Sequence, residues 1–312
     1  MPSAREPRER DDHAQPRDRD AALNLVTPPL AKPIAPGLHV VSTPIGRLRD
    51  VTLQALDVLA AADAVLAEDT RKTRRLCDAF GIKTPLERYD DHGGAKARPG
   101  IIARLRDGAT FALVSDAGTP LVSDPGYKLV KEAAEAGAPV YAAPGPSALL
   151  AALAVSGLPT DRFLFAGFAP VKAAQRRLTF AELASVPATL VFYESGPRLA
   201  ASLADMADVF GDRPAAVARE LTKLYEETRR SGLVALAGVY SQEEPPKGEI
   251  VVVVGPPAPA GPWDEAAVDA ALAGRLETAP LKELAAEIAE AAGWPRRDVY
   301  ARGLALKARG GA

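Results

Sequence analysis

The sequence predicts an α/β protein: two successive α/β domains followed by a small all-α domain. Three observations predict it. Short β-type apolar runs alternate with helix-period segments from residue 38 onward. Five of the strand-like runs end in clusters of Gly, Pro, Ser, Asp or Glu, where ligands bind in open α/β sheets. Beyond a Pro-rich stretch the pattern becomes helical only.

Residues 1–36 alternate Arg with Asp and Glu and then turn Pro-rich. They cannot bury enough apolar surface to fold, so a disordered tail is expected. In the N-terminal α/β domain, 37–156, strands are expected at 38–43, 64–69, 85–90, 110–114 and 139–145. Helices are expected at 51–62, 71–80 (closed by Gly81), 95–106, 127–136 and 147–155. Segment GLPTDR opens a second α/β domain, 157–255, with strands at 163–168, 188–194, 215–220 and 248–254 and helices at 173–184 and 197–210. The few residues between several of its strands predict a mixed sheet. A Pro-rich linker, 256–263, leads to helices over 264–312. The last helix begins at Pro295 and carries Arg296, Arg297, Arg302, Lys307 and Arg309 against one acid, Asp298. A short Gly-containing turn before a basic helix reads as a helix-turn-helix-like RNA-binding unit, or as a helical appendage with a solvated basic face.

Composition narrows the class. Apolar content of 47% and charged content of 25% are those of a soluble globular chain. A net charge of −2 gives no global attraction to nucleic acid, so any contact needs a local basic patch. The single cysteine, Cys77, forbids an internal disulfide and suits a reducing cytoplasm. One Cys and three His cannot build a Cys/His zinc cluster, and no metal site is expected. No signal peptide or bilayer-length apolar run is seen, so no membrane association is expected. GxxxxGK[ST], GxGxxG after the first strand, and GxSxG are absent, which disfavours P-loop, dinucleotide-binding and α/β-hydrolase chemistry.

The glycine loops serve some other ligand. Residues 115–126, SDAGTPLVSDPG, follow the apolar strand TFALV and precede a helix. Their glycines allow close backbone approach, their prolines hold one shape, and their carboxylates take hydroxyls, amines or a cation. The other polar strand ends lie at 42–46, 68–71, 144–147 and 193–196. Five such ends favour one shared crevice over unrelated turns.

The words STPIG, AEDTRKT, DDH, LVSDAGTPLVSDPG, PGPSA, FYES, ARELTK and KGE, in this order from about Leu38 on, resemble the RsmI family. These are bacterial 16S rRNA (cytidine-2′-O)-methyltransferases of the tetrapyrrole-methylase superfamily. The resemblance implies two α/β domains of tetrapyrrole-methylase type with an S-adenosylmethionine cleft between them, and a C-terminal helix-turn-helix-like domain. It further implies a homodimer acting on 16S rRNA or the small ribosomal subunit. The chain has Arg47 and Gly93 where the family commonly has Asn, and Pro197 where it commonly has His.

The cofactor loops so implied contain Pro44, Asp116, Gly118, Thr119, Ser123, Pro144, Gly145, Ser147, Phe192, Tyr193, Ala218, Arg219, Lys247 and Gly248. Methyl transfer from a sulfonium needs in-line placement, and the ribose hydroxyl needs a base or electrostatic help. Asp69, His92, Glu220 and Glu249 are candidate bases. Arg71, Arg219, Lys223 and Lys247 are candidate grips on RNA phosphates or developing charge. Asp69 is equally an N-cap, and Glu220 with Lys223 equally a helical ion pair. Tyr89, Phe168, Tyr193 and Tyr225 are candidates for stacking an unpaired base.

Overall fold

Five short parallel strands form the first sheet, and its central strands, covered on both faces, are largely apolar. In the computed structural model, which describes residues 34–90, 93–258, 261 and 263–310, these are β1 (Gly37–Val41), β2 (Ala64–Ala67), β3 (Leu86–Arg88), β4 (Thr110–Val114) and β5 (Val140–Ala143). Their order is β3-β2-β4-β1-β5, all parallel. Helices α1 (Leu53–Ala61), α2 (Thr70–Ala79), α3 (Gly94–Arg106) and α4 (Tyr127–Glu135) connect them. One core layer joins Leu56, Leu59 and Cys77 to Val41 and Val114; the other joins Ile101, Leu105 and Leu129 to Phe111 and Leu113. Alternate residues of β4 thus serve opposite layers.

Helix α5 (Ala148–Ser156) follows β5 and leads to the second sheet. That sheet is mixed: β6 (Phe163–Phe168), β7 (Thr189–Ser195), β10 (Glu249–Val254), β8 (Pro214–Arg219) and β9 (Glu227–Gly232) in spatial order. Only β6 and β7 are parallel. Helices α6 (Ala173–Leu183), α7 (Gly196–Phe210) and α8 (Leu233–Gln242) complete it. The segment after residue 226 is a full antiparallel strand, and α8 is a helix that the sequence reading did not anticipate. Its Gly238 and two β-branched valines weaken the helical signal, which burial of Leu233, Leu236 and Tyr240 restores. In β6 the pairing register shifts between Phe165 and Phe168, and Gly167 there is left-handed at φ 67°.

The chain divides into two compact units. One, holding both sheets, extends to Glu182 and resumes at Ala188–Gly255; the other takes Leu183–Pro187 and the chain from Pro256. The latter contains α9 (Glu265–Ala273), α10 (Leu281–Ala292) and α11 (Arg296–Gly310). Leu272, Leu284, Ile288 and Val299 form its core, and the left-handed Gly293 ends α10. A Cβ on Gly303 would lie 2.3 Å from Leu281 Cδ1, so a larger residue there would have to displace the Leu281 side chain. Among the described residues no helix is long and apolar enough to cross a membrane. The expected tail lies outside the described residues except for its last three positions.

Candidate active site

Between the two sheets lies a cavity of about 340 Å³, the size class of a small-molecule site. The first sheet contributes segments beyond the carboxyl ends of β1, β4 and β5: Ile45, residues 116–119 and 122–124, and Ser147. The second contributes Phe168 from the end of β6, residues 193–195 from the end of β7, and residues 248–251 at the start of β10. Antiparallel pairing sets Ser195 opposite Glu249, which brings the last two segments together.

The β4–α4 loop owes its shape to cross-links from its neighbours. Thr43 and Gly118 exchange backbone hydrogen bonds of 2.8 and 3.0 Å. The Thr119 hydroxyl donates to the Pro146 carbonyl at 3.2 Å and lies 3.1 Å from the Ser42 hydroxyl. Leu121 and Ser123 are left-handed, at φ 71° and 62°. Non-glycine residues held this way cost about 1–3 kcal/mol each and cluster at functional sites. A second strained turn carries Glu220 and Thr222 at φ 50° and 63°. Gly248, at φ 102°, packs against it so closely that a Cβ would sit 2.4 Å from the Glu220 carboxyl.

Four acids line the cavity: Asp116, Asp124, Glu194 and Glu249. Asp116 accepts from Lys72 Nζ at 2.6 Å and from the Asp69 N–H at 3.2 Å. Buried Glu194 accepts from Ser202, from the Ser195 N–H and from Arg198, which also reaches the Ala169 carbonyl. Glu249 accepts from Lys223 at 3.0 Å. Asp124 has no hydrogen bond or ion pair among the described residues. Burial first, then the negative charges of Glu68, Asp116 and Glu249, push its carboxyl up to about 6.

The chain matches the model of the tetrapyrrole (corrin/porphyrin) methylases over residues 37–237 and that of the RsmI C-terminal HTH domain over 263–307. It is 50% identical to a ribosomal RNA small subunit methyltransferase I of Mesorhizobium japonicum, covering 89% of this chain and 94% of that one. Identity with its counterpart in Erythrobacter litoralis is 52%, over 89% of this chain and 98% of that one. The chain belongs to the RsmI branch of the tetrapyrrole methylase family. In fold it is similar to a solved diphthine synthase (TM-score 0.54, 17% identity, 70% of this chain and 89% of that one). It is similar also to a cobalt precorrin-4 methyltransferase (TM-score 0.52, 18% identity, 70% and 94%).

Against that methylase fold, the expected site residues separate into groups. Asp116, Gly118, Thr119, Ser123, Ser147, Tyr193 and Gly248 line the cavity. Pro44, Pro144, Gly145, Arg219 and Lys247 do not, although Gly145 packs on Ser42 and Pro144 accepts from Thr52. Phe192 and Ala218 are not among the lining residues either. Both lie mid-strand and buried, and Phe192 faces Phe180 on the sheet side opposite Tyr193. Arg219 donates to the Lys247 carbonyl and to Glu227.

Asp69 caps α2, accepting from the Arg71 N–H at 3.0 Å. It also takes the Arg71 guanidinium in a two-point pair of 3.0 and 2.9 Å. These bonds, led by the Arg71 side chain, hold the Asp69 carboxyl down to about 2. Glu220 and Lys223 do pair, at 2.9 Å, but through the strained turn and not along a helix. Burial would raise the Glu220 carboxyl, but Lys223 and the Glu249 N–H outweigh it and lower it. Burial would likewise lower Lys223, but Glu220 and Glu249 hold it high. His92 lies outside the described residues. Tyr89 is corrected from a stacking candidate to a buried core residue, whereas Phe168 and Tyr225 are exposed. Phe168 meets half-buried Tyr193 edge-on at 5.5 Å. Arg302 is corrected as an RNA contact, because it binds Asp269 and Glu265 and stands over Trp294. Asp124, Glu194 and Ile45 are cavity residues that the sequence reading did not single out. Asp124 stood in view within SDPG, but its surroundings come from three separate chain segments.

Proposed function

We propose that this protein transfers the methyl group of S-adenosylmethionine to the ribose 2′-hydroxyl of a cytidine in the decoding region of 16S rRNA. On this reading it acts in the cytoplasm as a homodimer, on 16S rRNA or the assembled small subunit. One observation carries the reading: an acid-lined cavity, walled by backbone-rich loops, in a chain about half identical to ribosomal RNA small subunit methyltransferase I proteins.

The residues fit the methyl donor. Its cationic amino and sulfonium groups suit a cavity bearing the carboxylates of Asp116, Glu194 and Glu249. Gly118 and Gly248 line the cavity with backbone, and Tyr193 with Phe168 supplies an apolar wall. When bound, the donor supplies an electrophilic methyl group. The chain's own residues then align the hydroxyl and exclude water, and alignment accounts for much of such an acceleration.

Helix α2 and the C-terminal unit each carry basic side chains. Helix α2 is tied to the cavity through Lys72 and the Asp69 N–H, both bonded to Asp116. Farther along α2, Arg74 and exposed Arg75 form no ion pair among the described residues, so their charge is available to phosphates. In the C-terminal unit Arg297 is 89% exposed, and Lys307 is exposed as well.

The test is transfer from labelled S-adenosylmethionine to small subunits lacking the modification, with mapping of the methylated nucleotide. A 2′-O-methyl on a decoding-region cytidine is expected. Methylation of a tetrapyrrole precursor or a protein side chain in place of rRNA would overturn the substrate. Absence of S-adenosylmethionine binding by calorimetry would overturn the enzyme reading altogether.

A further inference from the structure

Resting on the methyltransferase reading above, we propose that Asp124 is the catalytic residue that accepts the ribose hydroxyl proton. The argument begins from geometry. The acceptor hydroxyl must enter the cavity that holds the methyl group, so its base must line that cavity or reach in through a water. Of the four acids there, Asp116 is engaged by Lys72, Glu194 by Ser202 and Arg198, and Glu249 by Lys223. Asp124 alone among them has both oxygens free of a protein partner among the described residues. Asp69 and Glu220 do not line the cavity, and each already holds a cation.

The loop fixes where this carboxylate stands. Asp124 follows left-handed Ser123 and precedes Pro125 and Gly126, which leads into α4. Gly126, at φ 126°, passes close to the strand beneath it, where a Cβ would lie 2.9 Å from Leu113 Cδ2. The charged and titratable groups facing Asp124 are Glu68, Asp116, Glu249, Lys72 and Tyr193. Burial first, and then three negative charges against one lysine, raise its proton affinity toward neutrality, where a general base works best. In the step itself the ribose oxygen forms the new C–O bond as the methyl–sulfur bond breaks. The bonding electron pair stays on sulfur, and the hydroxyl proton passes to Asp124.

The experiment compares wild type, Asp124→Asn and Asp124→Glu in methyl transfer to small subunits between pH 5 and 9, with S-adenosylmethionine affinity measured on each. Wild-type kcat/KM is expected to rise with pH through about 6, the free-enzyme carboxyl, and then level off. Asp124→Asn should lower transfer about 10²–10⁴-fold, retain cofactor affinity and lose that acid limb. Asp124→Glu should restore part of the rate together with a limb. Wild-type-like transfer by Asp124→Asn, or loss of rate matched by loss of cofactor affinity, would overturn the assignment; the second would make Asp124 a cofactor contact. No transfer by the wild type would instead strike the methyltransferase reading, and the assignment with it.

Discussion

Helices α2 and α11 both read as basic, yet the fold uses their cations differently. On α11, Arg302 binds Asp269 and Glu265, Arg297 meets Asp298, and Arg296 donates to the Lys282 carbonyl. Arg302 and Arg296 thereby tie α11 to the two helices it packs on. On α2, Arg71 and Lys72 are paired at the cavity end, while Arg74 and Arg75 stay without an acid among the described residues. A count of basic residues therefore overstates what α11 offers and understates what α2 offers. The same division runs through the carboxylates: Asp69 and Glu220 are held by cations, and Asp124 is not. Paired groups build the fold, and unpaired ones are left for ligands.

The largest effect expected from this contrast is at α2. Arg74→Glu with Arg75→Glu should lower kcat/KM for small subunits by roughly 10–100-fold, since each reversed charge would repel the phosphate backbone. Cofactor affinity should not change, which calorimetry checks. On α11, Arg297→Glu with Lys307→Glu should weaken transfer less, by a factor of roughly 3–10, through KM alone. A larger loss there than at α2 would reverse the comparison.

Arg302→Ala sharpens it further. It leaves Asp269 and Glu265 unpaired and uncovers Trp294, so the C-terminal unit should melt a few degrees earlier with the first unit unaffected. Differential scanning calorimetry resolves the two. The smallest change in stability is at Asp124. Because its carboxyl is raised to about 6, ionising it opposes folding, and that cost is absent below the ordinary carboxylate range and complete above pH 6. Asp124→Asn should therefore stabilise the free protein at pH 8, by about 1 kcal/mol after discounting for solvent screening, and change nothing at pH 3. Denaturant unfolding at the two pH values checks the sign.

Much of this was legible in the sequence. Apolar runs such as TFALV and EIVVVV, alternating with helical segments, identified most strands of both sheets, while the polar β9 (ETRRSG) escaped. The cavity loops were legible because glycine, proline and carboxylates crowd the strand ends. What escaped depends on distant neighbours. Glu220 and Lys223 pair through left-handed residues, a conformation that their side chains do not advertise. Phe192 and Tyr193 are adjacent in sequence but face opposite sides of β7, a period-2 rule that the motif FYES obscures. Arg302 looked like an RNA contact until Asp269 and Glu265 came beside it. Asp124 lay inside the most informative motif, but its free oxygens and raised proton affinity follow from segments as remote as Glu68 and Glu249.

The most direct test is the salt dependence of RNA affinity for the full chain and for its Arg74→Gln, Arg75→Gln variant. If α2 holds two phosphates of a single strand, the slope of log affinity against log salt should shrink by about 1.4, with cofactor affinity unchanged. An unchanged slope would contradict the claim that the charges left unpaired on α2 are the ones that hold the RNA.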